Sequence, residues 1–578
     1  MHRLVSFFLK YRIILFTVGI ILILLTQIIQ NGPTTDEPAH LAAGYGYSRG
    51  IALNPEHPPL LKVLNSLLFT TVFPGKLSLE REQYKIGWDI LASQNGRTIL
   101  ILSRAIYTLV FLLSIGFVLW LGYRKYLEPG LARIIYAVVI TSPLLVTQAS
   151  LITFDTIAAV SALNFLLVAT LLIIKKITFS SELFTYLWFW FCIGILVKFS
   201  LVLLVLPLIA IYIILFFQDP TQKKLLLKTF ILGLLAAFFS ILSITWYAFR
   251  NSPFVLPTDS RVPTIAVYFL ESYRHLPDWL QKISDPLLWY ISGLGRTFAR
   301  TSEATSQFLL GSEFHGNYGL FFIFLYPFKE NPVFLFILIG ALLVSILVTK
   351  KYAKDFSWNE LLVWFPILLF ICSYSYFAIR SNLLLGLRHF YPILILTYVG
   401  VSVFGYWLYQ HIVRVRKSLI FLFSILIVTN LFVSIQGLSY VSPLWQNEKW
   451  QIANDSSYIW GQDTMNALSW VHNTNLLRPE NSHEWTLYIP WRTLGIQQYS
   501  ELLHWEGDYS HYVIQDRSFI VTYEPPTRYL MVDAEVIQKQ YAINCPKGCR
   551  NYFAQYSPWK DYRLIKTFRD TIFLFEKQ

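Results

Sequence analysis

Runs of about twenty apolar residues dominate the chain and predict membrane-spanning helices. A helix of about twenty residues crosses a hydrocarbon layer of about 30 Å, and apolar runs of that length are typical of transmembrane segments. Eleven such spans are predicted, and the first is interpreted as a retained helix rather than a signal peptide. Their limits are 12–30, 98–121, 131–148, 154–174, 183–198, 200–217, 229–249, 332–349, 359–379, 388–409 and 418–437. The pattern therefore predicts an all-α polytopic membrane protein.

The basic residues between the spans predict the orientation of the chain. Every second loop carries Lys or Arg, as cytoplasmic loops do. These residues are Arg3, Lys10 and Arg12, then Arg124 and Lys125, Lys175 and Lys176, Lys223, Lys224 and Lys228, Lys350, Lys351 and Lys354, and finally Arg414, Arg416 and Lys417. With an odd number of spans, the N-terminus is predicted in the cytoplasm and the tail outside it. We expect a plasma (inner) membrane protein with a transmembrane domain 1–437 and an extracytoplasmic domain 438–578.

Three sizeable segments are predicted on the outer side, namely 31–97, 251–331 and the tail 438–578. The first two contain amphipathic stretches such as Pro59–Phe73, which are typical of helices lying in the membrane interface. The tail alternates short β-rich runs with turn residues and a few helical stretches, and it is predicted to be a small α/β domain. Its predicted strands are Trp485–Ile489, Phe519–Tyr523 and Ile572–Phe575.

The composition excludes several other classes of protein. Of the 578 residues, 55% are apolar and only 14% charged, whereas ordinary soluble domains have about 25% charged residues. The net charge of +13 would favour a nucleic-acid partner if it lay on a soluble domain. The tail, however, has slightly more acidic than basic residues, so the excess belongs to the membrane part. A soluble multidomain enzyme and a nucleic-acid-binding protein are therefore not expected.

The four cysteines do not form a disulfide framework. Cys192 and Cys372 lie in apolar runs and are expected to be inert core residues. Cys545 and Cys549 lie in the tail, where they would form a small disulfide loop if the tail is outside the cytoplasm. A zinc site is the weaker alternative because zinc requires four ligands.

Two adjacent acids follow the first span directly and suggest catalysis. Asp36 and Glu37 are followed by His40 in the sequence Asn-Gly-Pro-Thr-Thr-Asp-Glu-Pro-Ala-His. An acceptor hydroxyl has a pKa far above 7, so its attack on a sugar needs a carboxylate that takes its proton. The alternative is a solvated helix cap, since Asp is a common N-cap and Pro38 suits the first helical position.

A second polar segment of the same loop follows at Asn54-Pro-Glu-His-Pro-Pro-Leu-Leu-Lys62. Pro58 and Pro59 fix the backbone of a turn, and an apolar helix is predicted to begin after them. This turn is expected to direct Glu56, His57 and Lys62 toward Asp36. The alternative is an ordinary loop-to-helix junction with solvated side chains.

Together these segments resemble two groups of the GT-C superfamily, the protein O-mannosyltransferases and the lipid A aminoarabinose transferases. Both groups are of the glycosyltransferase family 39 type. The resemblance lies in the Asp-Glu pair of the first outer loop and the downstream His-Pro-Pro-Leu-x-Lys. Further matches are Arg104 in Leu-Ser-Arg-Ala, Asp155 in Thr-Phe-Asp-Thr, Gly386-Leu-Arg-His-Phe-Tyr-Pro392 and the tail stretch Asn454–Asp463. The MIR-type β-trefoil of the eukaryotic members is missing, so the acceptor is left open as a protein, a glycolipid or another glycan.

The resemblance implies a sugar transferred from a polyprenyl-phosphate donor outside the cytoplasm, in one displacement with inversion. Asp36 is the expected base, and Glu37 and His57 orient it or the sugar. The cations expected to stabilise the departing phosphate are Arg104, Lys198, Arg388 and His389, all predicted at outer ends of spans. Lys62 and Asp155 are expected to orient a substrate. For the cations the alternative is snorkelling to the membrane surface, and for Asp155 a helix cap.

Other readings stay open beside this one. No cofactor is required by the mechanism, but Glu56 and His57 with Asp36, Glu37 or His40 would suit a divalent cation. A flippase or transporter of lipid-linked sugars and a metal-dependent oligosaccharyltransferase are the competing functions. A transporter, however, places its charges near the middle of the membrane. The tail tryptophans Trp445, Trp450, Trp460 and Trp470 are expected to be interfacial anchors or core rather than a sugar-stacking surface.

Overall fold

The computed structural model shows a mostly helical chain whose C-terminal part carries a small sheet. The described residues are 2–54, 56–72, 77–79, 82–174, 181–254, 275, 277–302, 306–316, 319–352, 358–382, 386–445, 448–453, 456, 460–488, 496–508, 511, 527–544 and 559–578. The predicted strand 519–523 and the pair Cys545 and Cys549 lie outside these residues.

Helices make up most of the described residues of the membrane part. They are α1 (His2–Gln30), α2 (Glu37–Ser48), α3 (Leu60–Leu68), α4 (Gln83–Ala92), α5 (Gly96–Tyr123), α6 (Pro129–Ile140), α7 (Pro143–Ala149), α8 (Asp155–Ile174), α9 (Ser181–Val197), α10 (Val205–Gln218), α11 (Lys223–Phe249), α12 (Asp278–Arg300), α13 (Phe321–Lys329), α14 (Pro332–Tyr352), α15 (Trp358–Arg380), α16 (Tyr391–His411) and α17 (Arg416–Ile435).

The helices confirm the predicted polytopic membrane architecture. Among the described residues, eight helices are long and apolar enough to cross a membrane, or nine if the bent pair α6–α7 is one span. The helices α9 and α14 are shorter apolar helices at two further predicted spans. Every one of the eleven predicted spans therefore coincides with a helix or a bent helix pair. Large apolar side chains on the outer helices, such as Leu113, Phe239 and Phe336, remain exposed, as a lipid-facing surface requires.

The helices break at one point within a predicted span and at one point between two predicted spans. The third predicted span bends by 64° between α6 and α7. Ser142 is extended there because Pro143, which lacks an N–H, disfavours the helical conformation of the preceding residue. Between the fifth and sixth predicted spans, Lys198 is also extended, with φ −147° and ψ 126°. This break points Lys198 into the protein between two helices.

The first loop folds into three short helices at one end of the bundle. The predicted amphipathic stretch Pro59–Phe73 contains α3, and every residue of α2 except Ser48 is buried. Gly87 of α4 lies directly against α2, where an added Cβ would be only 2.0 Å from the carbonyl oxygen of Pro38. This close approach fixes the start of α2, and with it Asp36 and Glu37, against the rest of the loop.

The tail contains helices α18 (Thr464–Asn473), α19 (Ile496–Leu503) and α20 (Ala534–Asn544) and a four-stranded sheet. The sheet order is β3 (Trp485–Tyr488), β4 (Tyr529–Asp533), β6 (Ile572–Lys577) and β5 (Tyr562–Phe568), with β3 and β4 parallel and the other pairs antiparallel. Two of the three predicted strands are thus confirmed. A separate hairpin, β1 (Ser306–Leu309) and β2 (Ser312–His315), bridges to the tail between Leu309 and Ala453.

The two described cysteines differ from each other in their environment. Cys192 is buried, as expected, but Cys372 is exposed. The expectation that Cys372 is a core residue was wrong because an apolar run in a membrane helix has a lipid-facing side as well as a buried side.

Candidate active site

A cavity of about 230 Å³ lies where the first loop meets the ends of several helices of the bundle. It is lined by residues from the first loop, from α8, α12 and α15, and from the breaks before α10 and α16. The ionisable residues among them are Asp36, His40, Glu56, His57, Tyr84, Asp155, Lys198, Arg300, Tyr374, Arg388 and His389. Seven of the ten residues predicted for the site therefore line one cavity. The other three, Glu37, Lys62 and Arg104, lie behind its wall.

Two carboxylates and two cations form a continuous chain of ion pairs in this cavity. Arg388 Nη2 donates to Asp36 Oδ2 at 3.0 Å, and Arg388 Nη1 lies 3.6 Å from Asp155 Oδ2. Lys198 Nζ donates to the other oxygen of Asp155 at 2.5 Å. The side chain of Asp36 is 26% exposed, whereas those of Asp155, Lys198 and Arg388 are at most 9% exposed. Asp36 is thus the member of the chain that is most accessible from the cavity.

Local backbone features bring these side chains together from distant parts of the sequence. Asp155 begins α8, Lys198 occupies the break before α10, and Asp36 precedes the first residue of α2. Arg388 lies in a 3-10 turn, Leu387–Phe390, that follows Gly386. Gly386 has a backbone φ of 138°, a conformation that residues other than glycine rarely adopt. The Gly-Leu-Arg-His segment therefore directs Arg388 sideways into the cavity rather than along the helix.

Glu37 and Arg104 form a buried ion pair that holds the first loop. Glu37 accepts from Arg104 Nε at 2.8 Å and Nη2 at 2.6 Å, and from the backbone N–H of Thr34 and Ile152. Arg104 also donates to the carbonyl oxygens of Ile28, Asn31 and Gly32. Both side chains are 0% exposed.

Neither residue of this pair is among those that line the cavity. Glu37 was expected to orient the base or the sugar, and Arg104 to contact the donor phosphate. Both are enclosed by protein, and their polar atoms are bonded to each other and to the backbone. A buried ion pair of this kind connects the end of α1, the start of α2 and α5 behind the wall of the cavity.

The Lys62 side chain is bound within its own loop, residues 54–62, and does not extend into the cavity. Lys62 Nζ donates to the carbonyl oxygen of Asn54 at 2.5 Å and to that of His57 at 3.2 Å. The side chain is 0% exposed, and burial lowers its pKa to about 7. Asn54 has φ 50°, so the turn that Lys62 bridges is tight. Lys62 was expected to orient a substrate, but its ammonium group points into the loop because the backbone carbonyls there need a donor.

The imidazoles of His40 and His57 line the cavity and pack on the ring of Phe154. The rings of His40 and His57 pack on Phe154, with centroid distances of 4.6 Å and 4.9 Å. Burial and, secondly, the charge of Lys62 lower the pKa of His40 to about 3, and the same two causes hold the pKa of His57 well below its usual range. Both rings are therefore neutral near pH 7.

Glu56 pairs with Arg300, a residue that the sequence did not single out. The Arg300 guanidinium donates to the Glu56 carboxylate, and Thr297 donates to the backbone oxygen of Glu56 at 2.9 Å. Thr297 and Arg300 belong to α12, so this helix closes one side of the cavity. Among the residues described, no three His, Cys, Asp or Glu side chains are grouped as metal ligands. In this arrangement the Glu56 carboxylate pairs with Arg300, and the His57 ring packs on Phe154.

His389 and Trp460 complete the surroundings of Arg388. His389 lines the cavity, and Tyr374 donates to its carbonyl oxygen at 2.8 Å. The Arg388 guanidinium carbon lies 4.0 Å from the centre of the Trp460 ring. Trp460 was expected to be an anchor or core residue. Its indole is indeed buried, yet it packs on the cation of the site. In the sequence, the only signal was its place in the Trp-Gly-Gln-Asp part of the tail stretch.

Comparisons with known proteins give matches in structure only. No protein-family model matches the sequence, and no curated protein matches it. Apo ArnT from Cupriavidus metallidurans aligns over 98% of this chain and 98% of its own, at 10% identity and a TM-score of 0.35. The same protein bound to undecaprenyl phosphate covers 97% of both chains, at 11% identity and a TM-score of 0.29.

A further structural neighbour is an Archaeoglobus fulgidus oligosaccharyltransferase tethered to an acceptor peptide that contains the NVT sequon. It aligns over 93% of this chain and 71% of its own, at 12% identity and a TM-score of 0.41. All three TM-scores are below 0.5, so these likenesses carry no conclusion about the activity of this chain.

Proposed function

We propose that the protein is a membrane glycosyltransferase that moves a sugar from a polyprenyl-phosphate donor to an acceptor on the extracytoplasmic side. The observation that carries this proposal is the chain of ion pairs from Asp36 through Arg388 and Asp155 to Lys198. It joins an accessible carboxylate to two cations in a cavity between membrane helices. Such a cavity has both a proton acceptor and groups that neutralise an anionic leaving group.

The donor phosphate would lie against Arg388 and Lys198. A guanidinium binds phosphate oxygens through two parallel N–H groups, and an ammonium adds a compact charge. Both cations are nearly enclosed by protein, where electrostatic stabilisation of a developing charge is stronger than in water. The same cavity has an apolar wall that includes Leu203, Phe298 and Phe377, which suits the isoprenoid part of the donor.

Asp36 would act as the base. The acceptor hydroxyl attacks the anomeric carbon of the sugar from the side opposite to the phosphate, and its proton passes to the Asp36 carboxylate. The bond between the anomeric carbon and the phosphate oxygen breaks, and its electron pair leaves with the polyprenyl phosphate. Asp155 suits this role less well because it is 7% exposed and bound by Lys198 on one oxygen and approached by Arg388 on the other.

The position of the charges favours a transferase over a transporter. Asp155, Lys198 and Arg388 all lie at the first or last residues of apolar helices, whereas transporters bind their substrates near the middle of the membrane. The charge pattern of the loops supports placing this end of the bundle outside the cytoplasm. We propose a hexosyl- or pentosyltransferase of mannosyltransferase-like type, with a protein or glycolipid acceptor.

Transfer from a radiolabelled polyprenyl-monophosphate sugar by the purified protein tests the proposal. Asp36→Asn should lower the turnover rate at saturating donor by about 10²–10⁴-fold, the usual contribution of a general base. Asp278→Asn, which alters an exposed acid at the start of α12, should be neutral. Full activity of Asp36→Asn would remove Asp36 from the mechanism, and strict dependence on an added divalent cation would favour an oligosaccharyltransferase-like enzyme.

Donor binding is tested separately. Arg388→Ala should weaken binding of polyprenyl phosphate, and Arg133→Ala, an exposed arginine of α6, should not. Equal affinity of both variants for the lipid phosphate would refute the phosphate site. Movement of the donor across sealed vesicles without sugar transfer would instead indicate a flippase.

A further inference from the structure

The planar guanidinium of Arg388 contacts two carboxylates at its edges and an aromatic ring on one face. One edge faces Asp36 at 3.0 Å, another faces Asp155 at 3.6 Å, and the indole of Trp460 covers one face at 4.0 Å. The two carboxylates come from the membrane part, whereas Trp460 comes from the tail. Trp460 is 6% exposed, so its ring is enclosed together with the cation.

The backbone of the Trp460 segment is fixed to the residues just before Asp36. Thr35 N donates to the carbonyl oxygen of Trp460 at 3.0 Å, and Gly32 N donates to that of Gln462 at 2.9 Å. The Gln462 side chain accepts from Trp460 N at 2.8 Å. An added Cβ on Gly32 would be 2.8 Å from the Cβ of Met465, so the two backbones approach closely. The tail segment and the loop before Asp36 therefore form one packed unit.

Asp463 anchors this unit from the tail side. Its Oδ2 accepts from Ser439 and from Thr571, both at 2.8 Å, and its side chain is 1% exposed. Thr571 precedes β6, so the anchor reaches the sheet of the tail. Displacing the tail would thus move the indole from Arg388 and also release the backbone next to Asp36.

We infer that Trp460 is a positioning residue of the active site, through which the tail fixes Arg388 for the donor phosphate. This inference rests on the proposed function. With one face covered and two edges directed by carboxylates, the guanidinium keeps a single orientation in which it meets an incoming phosphate. A cation held on an aromatic face away from water gains attraction from the ring, and losing it should weaken phosphate binding by about tenfold.

The alternative is that Trp460 is only a core residue of the tail. Replacing Trp460 site-specifically with tryptophans carrying one to four ring fluorines distinguishes the two, because fluorine weakens the attraction of the ring for a cation while nearly preserving its shape. Affinity for polyprenyl monophosphate in nanodiscs should fall step by step with each fluorine and reach about a tenfold loss. Thermal stability should stay constant along the series. Affinity independent of fluorination would overturn the inference.

Conventional variants provide the controls. Trp460→Phe should retain most of the lipid-phosphate affinity and Trp460→Ala should lose it, with the effect in the donor KM more than in kcat. Trp485→Phe alters a buried tail tryptophan that stacks on Tyr529, far along the chain from Arg388, and should leave the affinity unchanged. An equal loss in Trp485→Phe would show that only tail stability matters. If the wild-type protein binds the lipid phosphate in this manner yet transfers no sugar, the proposed function fails while the role of Trp460 stands.

Discussion

Asp36 and Glu37 are neighbours in sequence, and their substitution should have opposite consequences. Asp36→Asn is expected to impair catalysis with little effect on stability, because its side chain is partly exposed and Arg388 keeps Asp155 as a second partner. Glu37→Gln is expected to destabilise the fold. The comparison isolates burial, since both changes remove one negative charge and preserve the size of the side chain.

The expected loss of stability in Glu37→Gln follows from the contacts of the Glu37 carboxylate. Its two oxygens accept four N–H groups, from Arg104 Nε and Nη2, Thr34 and Ile152. A glutamine retains only one acceptor oxygen, and its NH₂ group would face another N–H donor. Arg104 would then be a buried charge without a counterion, a change that typically costs about 3–5 kcal/mol. For Asp36→Asn, a partly exposed pair predicts about 1 kcal/mol or less.

Equilibrium unfolding in mixed detergent micelles, followed by circular dichroism, would measure both variants against the wild-type protein. A double variant, Glu37→Gln with Arg104→Met, removes both charges and should be less destabilised than the sum of the single variants, because the remaining charge is no longer unpaired. If Glu37→Gln is as stable as the wild-type protein and loses activity as Asp36→Asn does, the reasoning is wrong and Glu37 acts on the substrate.

Two further predictions concern the first loop. Burial lowers the pKa of Lys62 from 10.5 to about 7, so the unfolded chain binds the proton more tightly and stability should rise with pH between about 7 and 10.5. Lys62→Met should abolish that rise, and an unchanged pH profile of unfolding would contradict the burial of Lys62. Gly87→Ala should destabilise by about 1–3 kcal/mol and reduce activity, because its Cβ would push the Pro38 backbone beside Asp36. A neutral result in the same unfolding assay would contradict the close contact of α4 with α2.

Much of the architecture could be predicted because it depends on short-range patterns. A hydrocarbon layer selects apolar runs of a given length wherever they occur, so each predicted span coincides with a helix or a bent pair. The break at Lys198 coincides with the predicted boundary between the fifth and sixth spans, although the apolar runs on either side are nearly continuous. Only the packing of Lys198 on Asp155 shows why the chain leaves the helix there.

The sequence predicted which types of residue form the candidate site, but it identified only some of the residues themselves. Charges at span ends must be neutralised or reach water, so their presence in the sequence indicated a site. In the structure, Asp36, Asp155, Lys198 and Arg388 line one cavity. Arg300 and Trp460 were not singled out as site residues. Their contacts depend on how α12 and the tail pack against the bundle, and such packing leaves no periodic signal in the sequence.

The sequence alone determined that the chain crosses the membrane repeatedly and that unusual charges gather at the ends of its spans, because hydrophobicity and charge are properties of single residues. Which of two adjacent acids faces the cavity was decided by the tertiary structure. Successive residues at a helix start differ in direction by about 100°, and Glu37 is turned to Arg104, 67 residues away, while Asp36 is turned to Arg388, 352 residues away. Such distant partners exist only once the helices have packed.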